Sequence, residues 1–276
     1  MGAVPVPILP SNLKEAQFMD IHALELARQL TLMESELFMK IKTTECIKKG
    51  WTNSSQHKYR GILNTVDLHN KITCWVEETL LAEDNNRQRS LKMERFIITA
   101  DHCRMLNNYS SMWAIAVALN SAAIFRLRKT WDMLEKPTRM LFEKIDTIAQ
   151  ASRNFAVYRD LIRTADPPCV PFCGLYTRDL TFIEDGNPDH IGSDRRVINF
   201  AKSQRVADII FEIKAFQSVS YNIMHVPAIE SYLKKNLVYR GDDQSRYERS
   251  LEIEPREQPI SPEKNLSKML RDNGFL

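Results

Sequence analysis

Residues 112–125 read "MWAIAVALNSAAIF", a run in which only Asn120 and Ser121 are polar. A helix on a protein surface carries a single apolar stripe, whereas a helix apolar almost all round belongs inside a bundle of others. The run predicts a central helix, capped at Ser110 or Ser111 and buried by its neighbours. Upstream, Phe96, Ala100, Cys103 and Leu106 recur at helical spacing. Two stripes precede them: Ile62, Val66, Ile72, Trp75, Val76 and Leu80, and before those Leu26, Leu30, Met33, Leu37 and Ile41. Downstream, "EKPTRMLFEKIDTIAQ" and "NFAVYRDLIRTA" give two more helices, Pro137 standing near the start of the first. "DPPCVP" turns the chain, because prolines exclude helix there. Val206, Ile209 or Ile210, Ile213 and Phe216 mark a strong amphipathic helix, and a shorter one follows Pro227. There is no internal repeat and no convincing strand alternation; "CGLYTR" (173–178) is the single weak strand candidate. The fold class is all-α. A flexible Pro-containing leader (1–17) precedes one large domain (18–257), and a tail (258–276) follows.

Composition fits a soluble globular chain: 276 residues, 43% hydrophobic and 26% charged, with only 8 glycines. The net charge of +3 is spread along the chain, so nothing indicates nucleic-acid or membrane binding by bulk charge. Cys46, Cys74, Cys103, Cys169 and Cys173 form no CxxC and read as reduced, mostly buried thiols. No apolar run approaches the ~18–20 residues a membrane span needs. The opening "MGAVPVPILP" lacks the basic start of a signal peptide, and Val6 stands where a myristoylation motif needs Ser or Thr.

Catalytic signatures are missing. There is no phosphate loop and no G-x-G-x-x-G, and "NKIT" (70–73) lacks the fourth-position aspartate of a guanine-reading motif. The histidines form no H-x3-H pair, and His102 and Cys103 point apart on one helix. Against a calcium loop, Asp185, Asn187 and Asp189 fit the first, third and fifth positions. His190 then replaces the required glycine and Arg196 the bidentate glutamate. No metal or cofactor is expected, and on its residues alone "DGNPD" is a solvated turn.

Six blocks run in order over residues 18–256: "FMDIHALELARQLTLMESELFMKI", "ITCWVEETLL", "MERFIITADHCRMLNNYSSMWAIAVALNSAAIFRLRKTW", "PPCVPFCGLYTRDLTFIEDGNPD", "RRVINFAKSQRVADIIFEIKAFQ" and "SLEIEPR". Together they resemble the catalytic domain of Ras-family guanine nucleotide exchange factors, the Cdc-twenty-five homology domain. The resemblance implies an all-helical bowl gripping a small GTPase, with a protruding helical hairpin at about 175–217. It implies acceleration of GDP release so that GTP can load, with no covalent chemistry on this chain. The implied partner is a Ras-family GTPase, Ras first with Rap and Ral as alternatives, without nucleic acid and without direct membrane insertion. The implied location is the cytoplasm, with recruitment to membranes where the GTPase is anchored.

By family position, Thr181, Asp185 and Asn187 are the catalytic hairpin residues, nearest the GTPase's magnesium and α-phosphate site. Trp113, Asn120, Phe125, Arg126 and Arg178 are implied GTPase contacts, and Phe172 an anchor of the hairpin base. Read as residues alone, Trp113 and Phe125 are core packing, and Arg126 an ion-pair or capping residue. Three departures stand out: "YTRDL" replaces the usual "YLTDL", Thr181 replaces a larger apolar residue of some members, and Asp185 is one methylene shorter than the common Glu. Many members carry an N-terminal helical exchanger motif bracing the hairpin, and this chain starts too late to contain one. The alternative is a non-catalytic GTPase-binding scaffold of the same fold, favoured by the hairpin departures and opposed by the intact "EDGNP".

Overall fold

In the computed structural model, which describes residues 4–12, 15–52, 60–192 and 196–256, the central apolar helix starts earlier than expected. Asn108 caps it: its side-chain oxygen accepts from the Ser111 N–H at 3.1 Å, opening α4 (Tyr109–Asn120). Ser110 and Ser111 lie inside the first turn, buried: the Ser110 hydroxyl donates to Glu34 of the first helix at 3.0 Å, and the Ser111 hydroxyl accepts from the Asn108 side chain at 2.9 Å. The run is also not one helix. Ser121 adopts an extended backbone (φ −60°, ψ 151°) and divides it into α4 and the short α5 (Ala122–Phe125). The Ser121 hydroxyl does not cap α5, and among the described residues no side-chain hydrogen bond of its own to the backbone explains the break.

The helices before α4 follow their stripes: α1 (Ala23–Phe38), α2 (Arg60–Leu81) and α3 (Asn86–Met105). After α5 come α6 (Arg128–Asp132), α7 (Lys136–Ala149) and α8 (Ala156–Arg163). α1, α2, α3 and α7 all pack against α4. Met112, Ile115 and Leu119 of α4 are buried with Leu26, Ile72 and Phe96 in one continuous core. Each such side chain contributes about 1.5–3 kcal/mol of transfer free energy, set against the conformational entropy of ordering it. Phe96 stacks on Phe18 at 4.3 Å and meets Trp75 edge-on at 5.1 Å, closing the core beneath the N-terminal segment.

Two antiparallel helices, α9 (Cys173–Gly186) and α10 (Phe200–Phe216), form the hairpin. Between them, His190–Ile191 (β1) pairs antiparallel with Val197–Ile198 (β2). The strand candidate at 173–178 is thus helical, being the start of α9. Its apparent alternation reflects a helix that buries Cys173, Leu175 and Leu180 on one side. α11 (Pro227–Asn236) then packs on α1, and α12 (Asp243–Ile253) on α2 and α5. α12 has no apolar stripe to announce it; a capping box between Asp242 and Ser245 starts it, and its buried residues are Arg246 and Ser250.

The leader is tied down where it is described. The Ile8 N–H donates to Glu25 at 3.0 Å, Arg28 donates to the Val6 carbonyl, and Pro10 is buried. Residues 1–3 and the expected tail at 258–276 lie outside the described residues. All five cysteines are free, and burial pushes Cys46 up to about 11 and Cys173 up to about 12, so these thiols are inert. No described helix is long and apolar enough to cross a membrane, and no described His/Cys/Asp/Glu group is arranged to hold a metal ion.

Candidate functional site

The turn "DPPCVP" delivers the chain to the hairpin by stapling itself to the start of α4. The Val170 N–H donates to the Asn107 carbonyl, and the Tyr109 N–H donates back to Val170, both at 2.9 Å. Phe172 follows as the N-cap position of α9, its own N–H donating to the Tyr158 hydroxyl at 2.8 Å. The Phe172 ring stacks on Trp113 at 4.5 Å and lies 4.8 Å from His69. Gly174 makes this possible, because a Cβ there would stand 2.3 Å from the Phe172 ring. Trp113 is only 4% exposed and also meets Tyr158 (4.9 Å) and Phe155 (5.4 Å). In the free chain Trp113 is therefore a packing residue between the bowl and the hairpin base.

Phe155 is held unusually. Arg153, Asn154 and Phe155 all have positive φ (46°, 58° and 60°), a left-handed run that bulky side chains rarely adopt. Arg159 stabilises it by donating to the Asn154 carbonyl at 2.9 Å, while its other guanidinium nitrogens pair bidentately with Asp179 of α9, both at 2.8 Å. The result brings Phe155 against Arg178, whose guanidinium lies 5.0 Å from the Phe155 ring and 5.4 Å from the Phe182 ring.

Further along α9, Thr181 donates to the Thr177 carbonyl at 2.7 Å, and Asn187 donates back to the Ile183 carbonyl at 3.0 Å, closing the helix end. The acidic cluster is engaged rather than free. Glu184 accepts from the Lys48 N–H at 3.1 Å and from Lys202 at 2.6 Å. Asp189 also meets Lys202 at 2.6 Å, and Asp185 pairs with Lys49. Burial works against the charged form of Lys202, but its hydrogen bonds to Asp189 and Glu184 outweigh it and raise its pKa. The same contact with Lys202 lowers the pKa of Asp189. Lys48 and Lys49 both have positive φ (50° and 52°), which presents them to the hairpin. Tyr176 donates to Glu212, joining α9 to α10.

The remaining residues singled out from the sequence, Asn120, Phe125 and Arg126, cluster elsewhere, at the ends of α4 and α5. Asn120 donates to Asp146 at 2.7 Å and borders an open groove of about 770 Å³ with Asn70, Cys74, Val117 and Tyr247. Phe125 is 46% exposed, not core, and carries the Arg128 guanidinium 4.4 Å above its ring. Arg126 donates to the Ser250 carbonyl and lies near the Tyr247 ring, so it ties α5 to α12. The sequence reading missed Lys48, Lys49, Arg159, Lys202 and Glu212. They become visible only when segments as much as 136 positions apart meet. Beside Phe182 (63% exposed), the hairpin exposes further apolar side chains that its sequence did not announce: Ile191, Val197, Ile198, Phe200 and Phe211, between 45% and 74% exposed. Apolar surface of that extent on one projecting element is characteristic of an interaction site.

Comparison with known proteins bears on what that site meets. A family model described as the RasGEF domain matches residues 25–204. "Cell division control protein 25" of Candida albicans is 37% identical over 250 residues, covering 90% of this chain and 19% of that protein. "Ras-specific guanine nucleotide-releasing factor 1" of Rattus norvegicus is 34% identical over 250 residues, covering 90% of this chain and 20% of its own length. "Ras guanine nucleotide exchange factor Y" of Dictyostelium discoideum is 34% identical over 255 residues, with 91% and 17% covered. The chain thus spans about a fifth of the length of these relatives.

Proposed function

The chain belongs to the RasGEF domain family, and on that premise we propose that it accelerates GDP release from a Ras-type small GTPase, allowing GTP to load. The observation that carries this reading is the hairpin. It combines an exposed apolar run, from Phe182 on α9 to Phe211 on α10, with an acidic end at Glu184, Asp185 and Asp189. The physics is linkage. A protein that binds the nucleotide-free GTPase more tightly than the loaded one must weaken nucleotide binding by the same free energy. It can do so only through contacts incompatible with bound nucleotide and magnesium.

The hairpin is suited to such contacts. Leu180 is buried and Ile183 half-buried, holding α9 to its support, while Phe182 faces outward to displace the GTPase's first switch. Thr181, Asp185 and Asn187 then approach the magnesium and phosphate site, where a carboxylate competes with phosphate for the GTPase's cationic loop. The groove beside Asn120, with Phe125 and Arg126 near it, receives the second switch. The chain forms no covalent bond with its partner. The partner is a Ras-type GTPase, Ras before Rap or Ral, and the exchange takes place at the membrane that anchors it.

One observation favours the second reading, a scaffold that binds without exchange: the Asp185 carboxylate is already paired with Lys49. That pair is exposed on the Asp185 side, and such pairs are worth about 0–1 kcal/mol, so it yields readily to a stronger cation. The test separates binding from exchange. Asp185→Asn combined with Asn187→Ala should slow GDP release more than it weakens binding to nucleotide-free GTPase. Equal loss of both would reduce the cluster to a docking element.

A further inference from the structure

α9 carries four charged side chains, Arg178, Asp179, Glu184 and Asp185. Three have partners within the chain: Asp179 with Arg159, Glu184 with Lys202 and the Lys48 N–H, and Asp185 with Lys49. Arg178 is the exception. It is exposed, and no described carboxylate or carbonyl accepts from its guanidinium. Its surroundings nonetheless fix it, because aromatic rings of two different elements flank it, Phe155 at 5.0 Å and Phe182 at 5.4 Å. Phe155 is itself held by the left-handed turn and by packing on Trp113, so this support belongs to the bowl.

A guanidinium stacked on aromatic faces keeps its in-plane N–H donors free at its edge, and that planar fork matches a carboxylate in a bidentate pair. Stacking also restricts the side chain before any partner arrives, which lowers the entropy lost on binding. The one acidic group beside Arg178 in sequence, Asp179, is taken out of competition by Arg159. We infer that Arg178 is a pre-organised carboxylate receptor on the hairpin, reading an acidic side chain of the GTPase and so contributing to the choice among GTPases. This rests on the exchange reading, since it takes the docked protein to be a GTPase. Phe155 and Phe182 are positioning residues for the receptor, and the Arg178 edge makes the contact.

The test uses the full chain and a GTPase loaded with fluorescent GDP, with affinity for the nucleotide-free GTPase read in parallel. Arg178→Met keeps the stem and its apolar packing between the rings but removes the fork. It should raise KM about tenfold, leave kcat within about twofold, and flatten the salt dependence of KM, as loss of one charge pair does. Arg178→Lys, with charge but no planar fork, should fall between the two. Arg178→Glu should be rescued by changing one particular Asp or Glu on the GTPase surface to Arg, in a scan of its acidic residues. An unchanged KM and salt slope in Arg178→Met overturns the inference. So does a fall in kcat alone, which would make Arg178 a mere prop for Phe182, or failure of every charge swap. If the chain binds GTPase without accelerating release, the exchange reading fails and the Arg178 variants are judged on Kd by the same criteria. A chain that neither binds nor accelerates overturns both.

Discussion

Glu34 is fully buried in α1, accepting from the Ser110 hydroxyl at 3.0 Å through one oxygen while the other has no partner among the described residues. Burial pushes its pKa up to about 8, against the smaller opposing effect of hydrogen bonds from Ser110 and Ser111. The native state therefore holds a proton that the unfolded chain has already lost. The associated stability is complete below the ordinary carboxyl range, declines as pH rises from there, and is gone above about 8. His69, held by burial down to about 4, acts in the opposite sense: its stability is lost as pH falls from the ordinary imidazole range toward 4. Glu34→Gln removes the first of these dependences. Urea unfolding at pH 5 and pH 8 should show the variant gaining on the parent as pH rises, and a constant difference would contradict the protonated Glu34. At this scale the sequence is legible only in part. It marks Trp113 as an apolar residue on a buried helix, but it cannot show that the ring meets Phe155 and Tyr158 from the start of α8 and Phe172 from the start of α9.

The hairpin helices are fastened at several points along their length: Phe172 on Trp113, Tyr176 on Glu212, Asp179 on Arg159, and the acidic end on Lys48, Lys49 and Lys202. The bidentate Arg159–Asp179 pair is the one whose loss should loosen α9 without disturbing the bowl, since Arg159 leaves the core packing of α4 untouched. Arg159→Met is expected to speed amide exchange along α9 and the 153–155 turn while α2 and α4 stay protected. Uniform protection, or loss of protection throughout, would deny the pair that role. Helix existence was legible at this scale because α1, α2 and α10 bury one face and repeat it at helical spacing. The break at Ser121 and α12 were not. An apolar run gives no sign of where it bends, and α12 buries Arg246 and Ser250 rather than a stripe. The two-residue strands of the hairpin are too short to show any period.

Across the whole molecule, distant ends of the chain are joined by buried polar groups. Arg89 is inaccessible to solvent and donates to the Glu83 and Asp84 carbonyls, to Asn86 and to Thr130. Glu254, from the last described block, accepts from the N–H groups of Lys129 and Thr130 at the start of α6. That connection gives "SLEIEPR" a physical place in the fold: it closes the bowl on the side of α5 and α6. The all-α class was legible from apolar spacing. The family was legible only through six ordered blocks, because the proposed exchange activity would display no catalytic constellation to recognise. Such activity would lie in a shape complementary to a GTPase state that no single sequence displays. Exchange by the chain is measured as dissociation of labelled GDP from purified Ras-, Rap- and Ral-type GTPases, with and without it. Release from at least one of them should quicken, rising with chain concentration to saturation; an unaltered GDP off-rate across the whole panel would mean that the chain is no exchange factor.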